Sequence, residues 1–213
     1  MRIILLGAPG SGKGTQAENL TRDYGCPQIS TGVLLREAIQ QGTTIGKRVE
    51  EIMARGDLVS DEIVLDLIAS SLEDIEINKG YLLDGYPRNI NQAQSLSILL
   101  DSIERPLQHT ILIDVGPEVL IKRLSGRRTC SLTGKILNIH FSCQEELDAC
   151  TNSGGELIQR DDDHIESITK RITVYKEQTE PMIQFYNEIS ILKVIDGEGT
   201  VDEVYSRLIA QVN

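Results

Sequence analysis

Four short apolar runs stand out along the chain: "RIILL" (2–6), "YLLDG" (81–85), "TILIDV" (110–115) and "ILKVID" (191–196). None alternates cleanly between apolar and polar positions. That is the pattern of parallel strands buried on both faces. A fifth, weaker run, "PQIS" (27–30), is expected to be a strand as well. Between the runs, apolar residues recur at helical spacing over 13–24, 61–73, 90–103, 117–127, 162–188 and 200–212. Pro181 is expected to kink or break the long helical stretch that contains it. Strands that alternate with helices predict an α/β fold with a doubly wound, five-stranded parallel sheet.

Two segments interrupt this rhythm. Residues 30–59 contain "GVLLREAIQQG" and "IGKRVEEIMARG", two helical patterns with no strand between them. Residues 128–159 read as turns and short strands. Both are expected to be small inserted subdomains. The core would then comprise 1–29, 60–127 and 160–213. "RDDDH" (160–164) places carboxylates at a helix start, where the macrodipole favours them.

Composition narrows the class. The chain has 213 residues, 40% apolar and 25% charged, as expected for one globular domain with insertions. The net charge of −11 argues against a nucleic-acid partner. No apolar run approaches the ~20 residues needed to cross a bilayer. Met1 leads straight into a strand-like run, leaving no room for a signal peptide, so the expectation is a cytoplasmic protein with no membrane partner. The four cysteines (Cys26, Cys130, Cys143, Cys150) do not suggest a disulfide framework in such a chain.

The candidate chemistry begins directly after the first strand. "GAPGSGKGT" (7–15) follows the phosphate-loop pattern G-x-x-x-x-G-K-[ST] until its last position, where Gly14 replaces the hydroxyl that would hold Mg²⁺. Backbone N–H groups of Gly10, Ser11, Gly12, Lys13, Gly14 and Thr15, with the following helix N-terminus, form an anion cradle. Lys13 would reach the β- and γ-phosphates. Magnesium would then rest on phosphate oxygens and water, with Asp84 nearby. Asp84 ends an apolar strand, where ligands of open parallel sheets bind. Arg88 follows after Pro87 and is expected to point a guanidinium at the same cleft.

These residues, with "ISTG.LLR", "LDGYPR....Q", arginines at 123 and 127, "GGELIQRDDD" and "KR" at 170–171, resemble the adenylate kinases of the nucleoside monophosphate kinase family, in their long-lid form. The resemblance spans essentially the whole chain. It implies a P-loop core, an AMP-binding insertion, a mobile lid and, as partners, ATP, AMP and ADP with Mg²⁺ as cofactor. By position it assigns Gly10 through Thr15, Arg123, Arg127, Ile136, Leu137 and Gly199 to ATP. To AMP it assigns Thr31, Arg36, Asp57, Leu58, Val59, Gly85, Tyr86, Pro87, Arg88, Gln92, Arg160 and Arg171. Lys13, Asp84, Arg88, Arg123, Arg160 and Arg171 would carry catalysis. Arg123 and Arg127, four apart on a predicted helix, are expected to share one face.

The implied reaction is MgATP + AMP ⇌ 2 ADP by direct in-line transfer, followed by lid opening. The acceptor oxygen is already ionised, so no general base is required. His109, His140 and His164 fall in no matched motif. Gln92 with Thr31 favours AMP, since a carboxamide can pair with both a donor and an acceptor of adenine. Leu137 and Asn138 replace an aromatic and an imidazole of many relatives, and Val33 replaces an aspartate. Another nucleoside monophosphate acceptor, or GTP as donor, is therefore the alternative. A P-loop GTPase would need a Ser/Thr after Lys13 and an N-K-x-D motif, both missing. A nucleotide-sensing scaffold would show gaps among the arginines, and there are none.

Some long-lid relatives hold zinc on C-x₂-C…C-x₂-C or D. The frame here reads Cys130, Thr133, Cys150, Ser153. Only two positions carry a thiol, so structural zinc is not expected. The expected arrangement is two buried thiols packed with Thr133 and Ser153. Resemblance also implies a monomer.

Overall fold

The computed structural model describes residues 1–76 and 79–212. Five parallel strands form the central sheet: β1 (Arg2–Leu6), β2 (Gln28–Ser30), β3 (Tyr81–Asp84), β4 (His109–Asp114) and β8 (Leu192–Asp196). Their order is β2-β3-β1-β4-β8. Register pairs Leu5 with Asp84 on one side and with Ile111 on the other. The missing alternation in the sequence now has its cause. Successive side chains leave a strand on opposite faces, and here both faces are covered. Ile4, Leu83 and Leu112 enter one apolar cluster, while Ile3, Leu5, Leu82 and Ile111 enter the other.

The first cluster is completed by α4 (Asp61–Glu73), α5 (Ile90–Ser102) and α9 (Pro181–Glu188), through Ile68, Leu96 and Tyr186. The second is completed by α1 (Lys13–Tyr24), α6 (Pro117–Gly126) and α10 (Val201–Val212), through Leu20, Leu120 and Leu208. Helix ends follow local chemistry. The Asn89 side chain accepts from the Gln92 N–H to cap α5, and Gly25 closes α1 in the left-handed conformation. The predicted long helix over 162–188 is divided. A 3₁₀ turn at Asp161–Asp163 precedes α8 (Ile165–Val174), and a π turn at Tyr175–Thr179 leads into α9. Pro181, without an N–H, starts α9 as its first residue, so the break falls where proline requires it.

The two interruptions differ in packing: the first buries Leu35 and Val49 in the first apolar cluster, while the second has a small cluster of its own. The first holds α2 (Thr31–Gln40) and α3 (Thr44–Ala54). The second has its own antiparallel sheet, ordered β6-β5-β7, from β5 (Arg127–Cys130), β6 (Ile136–Asn138) and β7 (Leu157–Ile158). It also contains α7 (Gln144–Asn152), a helix its polar sequence did not suggest.

The cysteine expectation is corrected here. Cys130 and Cys150 are joined by a disulfide, with Cα atoms 6.0 Å apart. The strand β5 and the helix α7 bring together two residues that lie 20 apart in sequence. Thr133 and Ser153 are exposed rather than packed in the core: the Thr133 hydroxyl accepts from the Lys135 N–H, and the Ser153 hydroxyl donates to the Ala149 carbonyl. Among the described residues no helix is long and apolar enough to cross a membrane.

Candidate active site

The carboxyl ends of β1, β2 and β3 converge on one cleft. The loop after β1 turns back through Gly10 and Gly12, with φ of 86° and 98°. A Cβ at Gly10 would also sit 2.9 Å from Leu124 Cγ, so the loop's path against α6 admits only glycine. The Lys13 ammonium donates to the Gly7 and Ala8 carbonyls at 2.7 and 3.0 Å. Loss of water pushes its pKa down to about 8, against the opposing pull of Asp84, with Arg88, Arg171 and Arg127 adding to the depression.

Asp84 is 9% exposed. Its Oδ2 accepts from Gln28 Nε2 at 3.1 Å and from the Ser30 hydroxyl at 3.3 Å, and no Lys or Arg ion pair to it forms among the described residues. A Cβ at Gly14 would lie 3.7 Å from the same oxygen. The loop position that lacks the hydroxyl therefore faces the carboxylate directly.

Arg88 is fixed through three of its atoms. Its Nε donates to the Gly85 carbonyl (2.7 Å), its N–H to Gln92 Oε1 (2.7 Å), and its carbonyl accepts from the Thr179 hydroxyl (2.7 Å). Burial and the neighbouring Arg171 pull its pKa down to about 10. Burial, Arg127 and Arg36 do the same to Arg160, also to about 10. Lys13, Arg36, Arg88, Arg127, Arg160 and Arg171 thus act on one another electrostatically. The carboxylates that appear among their influences are Asp84, Asp162 and Asp163. Six cations against three anions make a site for a polyanion.

Asp163 has a fully buried side chain. Arg127 Nε and Nη2 grip it at 2.7 and 2.5 Å, and Arg171 Nη1 reaches the same carboxylate at 3.1 Å. Arg171 also pairs with Asp162 at 2.9 Å. Burial pushes the Asp162 carboxyl up, but Arg171, Arg127, Arg36 and Arg160 outweigh it and hold it below the usual range.

The expectation that Arg123 and Arg127 share a helix face is overturned. α6 ends at Gly126, and Arg127 is extended (φ −64°, ψ 137°). Arg127 turns to Asp163. Arg123 instead donates to the Ser11 carbonyl at 3.2 Å and the Gly197 carbonyl at 3.0 Å, which places it beside the phosphate loop and the turn that carries Gly199. Asn138 Nδ2 holds the Arg123 carbonyl at 2.8 Å. On β6 the Leu137 side chain is buried with Cys130 and Cys150, while Ile136, on the opposite face, is partly exposed.

Thr31, Leu58, Val59, Gly85, Tyr86 and Gln92 line a second, small cavity, together with Asp57 and Arg88. Its volume of ≈ 30 Å³ is about that of one water. Thr31 Oγ1 donates to the Gly85 carbonyl at 3.0 Å. Gln92 is 2% exposed, and its Nε2 donates to Asp61 Oδ1 at 2.7 Å. Asp61 therefore sets the orientation of Gln92, a role its place at the start of α4 did not signal. Asp162 and Asp163 were visible only as helix-start carboxylates. Lys170 was visible only as the neighbour of Arg171. Its ammonium pairs with Asp57 at 2.6 Å, while the Ser167 hydroxyl donates to the Ala54 carbonyl at 2.9 Å. α8 thereby carries the end of α3.

A profile of the family described as adenylate kinase matches residues 5–191. An adenylate kinase of Thermodesulfovibrio yellowstonii is 46% identical over 210 residues, 99% of this chain and 98% of its own. One from Nitrosococcus oceani is 48% identical over 205 residues, 96% of this chain and 94% of its own. One from Methanosarcina barkeri is 42% identical over 208 residues, covering 98% and 96%. The phosphate loop, the arginine cluster and these end-to-end matches agree: the chain belongs to the adenylate kinase family.

Proposed function

We propose that this cleft transfers a phosphoryl group directly between nucleotides, MgATP + AMP ⇌ 2 ADP. The observation that carries the reading is the six-cation cluster between the phosphate loop and the Gln92 cavity. A nucleophilic phosphate needs no general base, so the residues have two tasks: to hold two polyphosphates in line and to stabilise charge on the transferring group. Lys13 and the loop N–H groups take the donor phosphates. Arg36, Arg88, Arg160 and Arg171 take the acceptor phosphate and the group in transit. Arg123, beside the phosphate loop and the turn that carries Gly199, and Arg127 face the donor, and Thr31, Leu58, Val59 and Gln92 receive the acceptor base.

The donor set fits magnesium. Asp84 is a recessed carboxylate held by neutral donors, with a gap left by Gly14 in front of it. Through water it would hold a Mg²⁺ ion that neutralises and orients the phosphate oxygens. The segments 30–59 and 128–159 serve as acceptor subdomain and lid around the core 1–29, 60–127 and 160–213. We further infer a monomer that works in the cytoplasm.

The deciding experiment is a coupled assay with AMP, CMP, UMP and GMP as acceptors and ATP or GTP as donor. ATP with AMP is expected to give the highest kcat/KM, and no stimulation of ATP consumption by AMP would sink the reading. In the same assay Gln92→Ala is expected to lower kcat/KM for AMP by roughly 10- to 100-fold, the loss of one or two base hydrogen bonds, with KM for ATP unchanged. An equal loss toward both substrates would refute the assignment.

Lys170 yields a smaller, directional prediction. An exposed ion pair is worth at most about 1 kcal/mol, so Lys170→Ala should raise KM for AMP roughly two- to five-fold. Lys170→Arg should restore it, and KM for ATP should not move. An unchanged KM for AMP would show that the pair with Asp57 does not hold the acceptor subdomain.

A further inference from the structure

The lid has little to hold it together. Its buried residues are Cys130, Leu137 and Cys150, with Leu147 and Leu157 packed partly against them. Units below about 40 residues rarely fold on burial alone and usually add a covalent or metal staple. Here the staple is the bond between two of the three buried residues. It ties the end of β5 to α7 and so fixes the outer half of the lid to the strand that leaves the core at Arg127.

The bond also has an approach route. Cys130 and Cys150 both line a cavity of ≈ 300 Å³ on the lid, together with Leu132, Thr133, Lys135 and Ser153. The space is wide enough for a small thiol or the tip of a protein dithiol. Its charged wall is formed by Lys135 and Glu146, paired at 2.9 Å, and by Glu145. In the cytoplasm, where the chain is proposed to work, thiols are kept reduced, so a disulfide there is exposed to exchange with dithiols.

We propose that Cys130–Cys150 is a thiol–disulfide exchange site whose state sets the affinity for the donor nucleotide. The reductant is a dithiol. One of its thiolates attacks a sulfur of the pair, forming a mixed disulfide and expelling the other cysteine as a thiolate, which takes a proton from water. The second thiol of the reductant, as thiolate, attacks the mixed disulfide and releases the second cysteine. The protein disulfide gains two electrons and becomes two thiols, and the dithiol loses two and becomes a disulfide. Reduction leaves the lid with an apolar core of five side chains and no covalent tie, so its closed form is less populated and apparent donor affinity falls. The acceptor side, built on α2, α3, α5 and α8, is unaffected. The inference rests on the reading of 128–159 as the donor lid.

The test uses the full chain purified without reductant. Alkylation under denaturing conditions and mass measurement should find two of the four cysteines reactive before reduction and four after dithiothreitol. Reduction should raise KM for ATP roughly three- to ten-fold, leave KM for AMP unchanged, and be reversed by reoxidation. The Cys130→Ser/Cys150→Ser double variant should show the high KM with or without dithiothreitol. If it does not fold, the reduction and reoxidation cycle on the native chain decides alone. Four reactive thiols after treatment with oxidised glutathione, or a KM for ATP that ignores reduction, would overturn the proposal. Absence of AMP-dependent ATP consumption in both states would instead strike the proposed function.

Discussion

Lys13→Met is expected to lower kcat by roughly three orders of magnitude, about 4 kcal/mol of transition-state stabilisation. Methionine keeps the length and apolar volume of the stem, so the change removes the charge and little else. The ammonium rests on the Gly7 and Ala8 carbonyls, contacts that phosphate oxygens can replace. The loss should fall on kcat more than on either KM, as quenched-flow and steady-state measurements can separate. Loss in KM alone would mean that Lys13 only binds.

The same residue gives a pH signature. Burial lowers its pKa to about 8. Phosphates beside it favour the charged form and raise that value. Above pH ~8, then, donor binding takes up a proton and donor affinity falls as pH rises; well below pH 8, Lys13 is already charged and takes up none. Calorimetry with a non-transferable ATP analogue at pH ~8.5, in buffers of different ionisation enthalpy, should detect the uptake. Lys13→Met should abolish it.

Arg88→Lys is the second large effect: kcat/KM for AMP should fall by about 10²- to 10³-fold although a positive charge remains. Lysine has no fork, and no Nε to donate to the Gly85 carbonyl at 2.7 Å. Its ammonium cannot hold two phosphate oxygens in one plane. The Arg88 backbone is fixed on both sides, by Gln92 and by Thr179, so the new side chain cannot shift to compensate. Measured activity within ten-fold of the native enzyme would show that charge alone suffices there.

Much of this was legible in the chain. The five strands match their apolar runs because each is short and no competing pattern crosses it; β1, β3 and β4 are buried on both faces, while the edge strand β8 leaves Val194 half exposed. β2 was faint because only Ile29 of its three residues is fully buried. α7 was missed because its single buried residue is Cys150, so no apolar stripe marks it. The disulfide was missed for a related reason: a spacing frame compares neighbours in sequence, whereas the bond joins a strand to a helix across the lid.

The cationic side chains of the cleft could be read from motifs, since each sits at a fixed distance from a strand end or glycine. Their counter-charges could not. Asp162 and Asp163 carry the local signature of a helix start, and that signature accounts for them completely until β5 and α8 bring Arg127 and Arg171 to the same carboxylate. Asp61 is a similar case, explained by its helix end until Gln92 is seen donating to it.

Asp163 has one more consequence. With its carboxylate shared by Arg127 and Arg171, it ties the strand on which segment 128–159 begins to the helix that follows the segment's end. One buried side chain therefore clasps both ends of the segment, and its charge balances two guanidiniums that would otherwise repel each other beside the cleft.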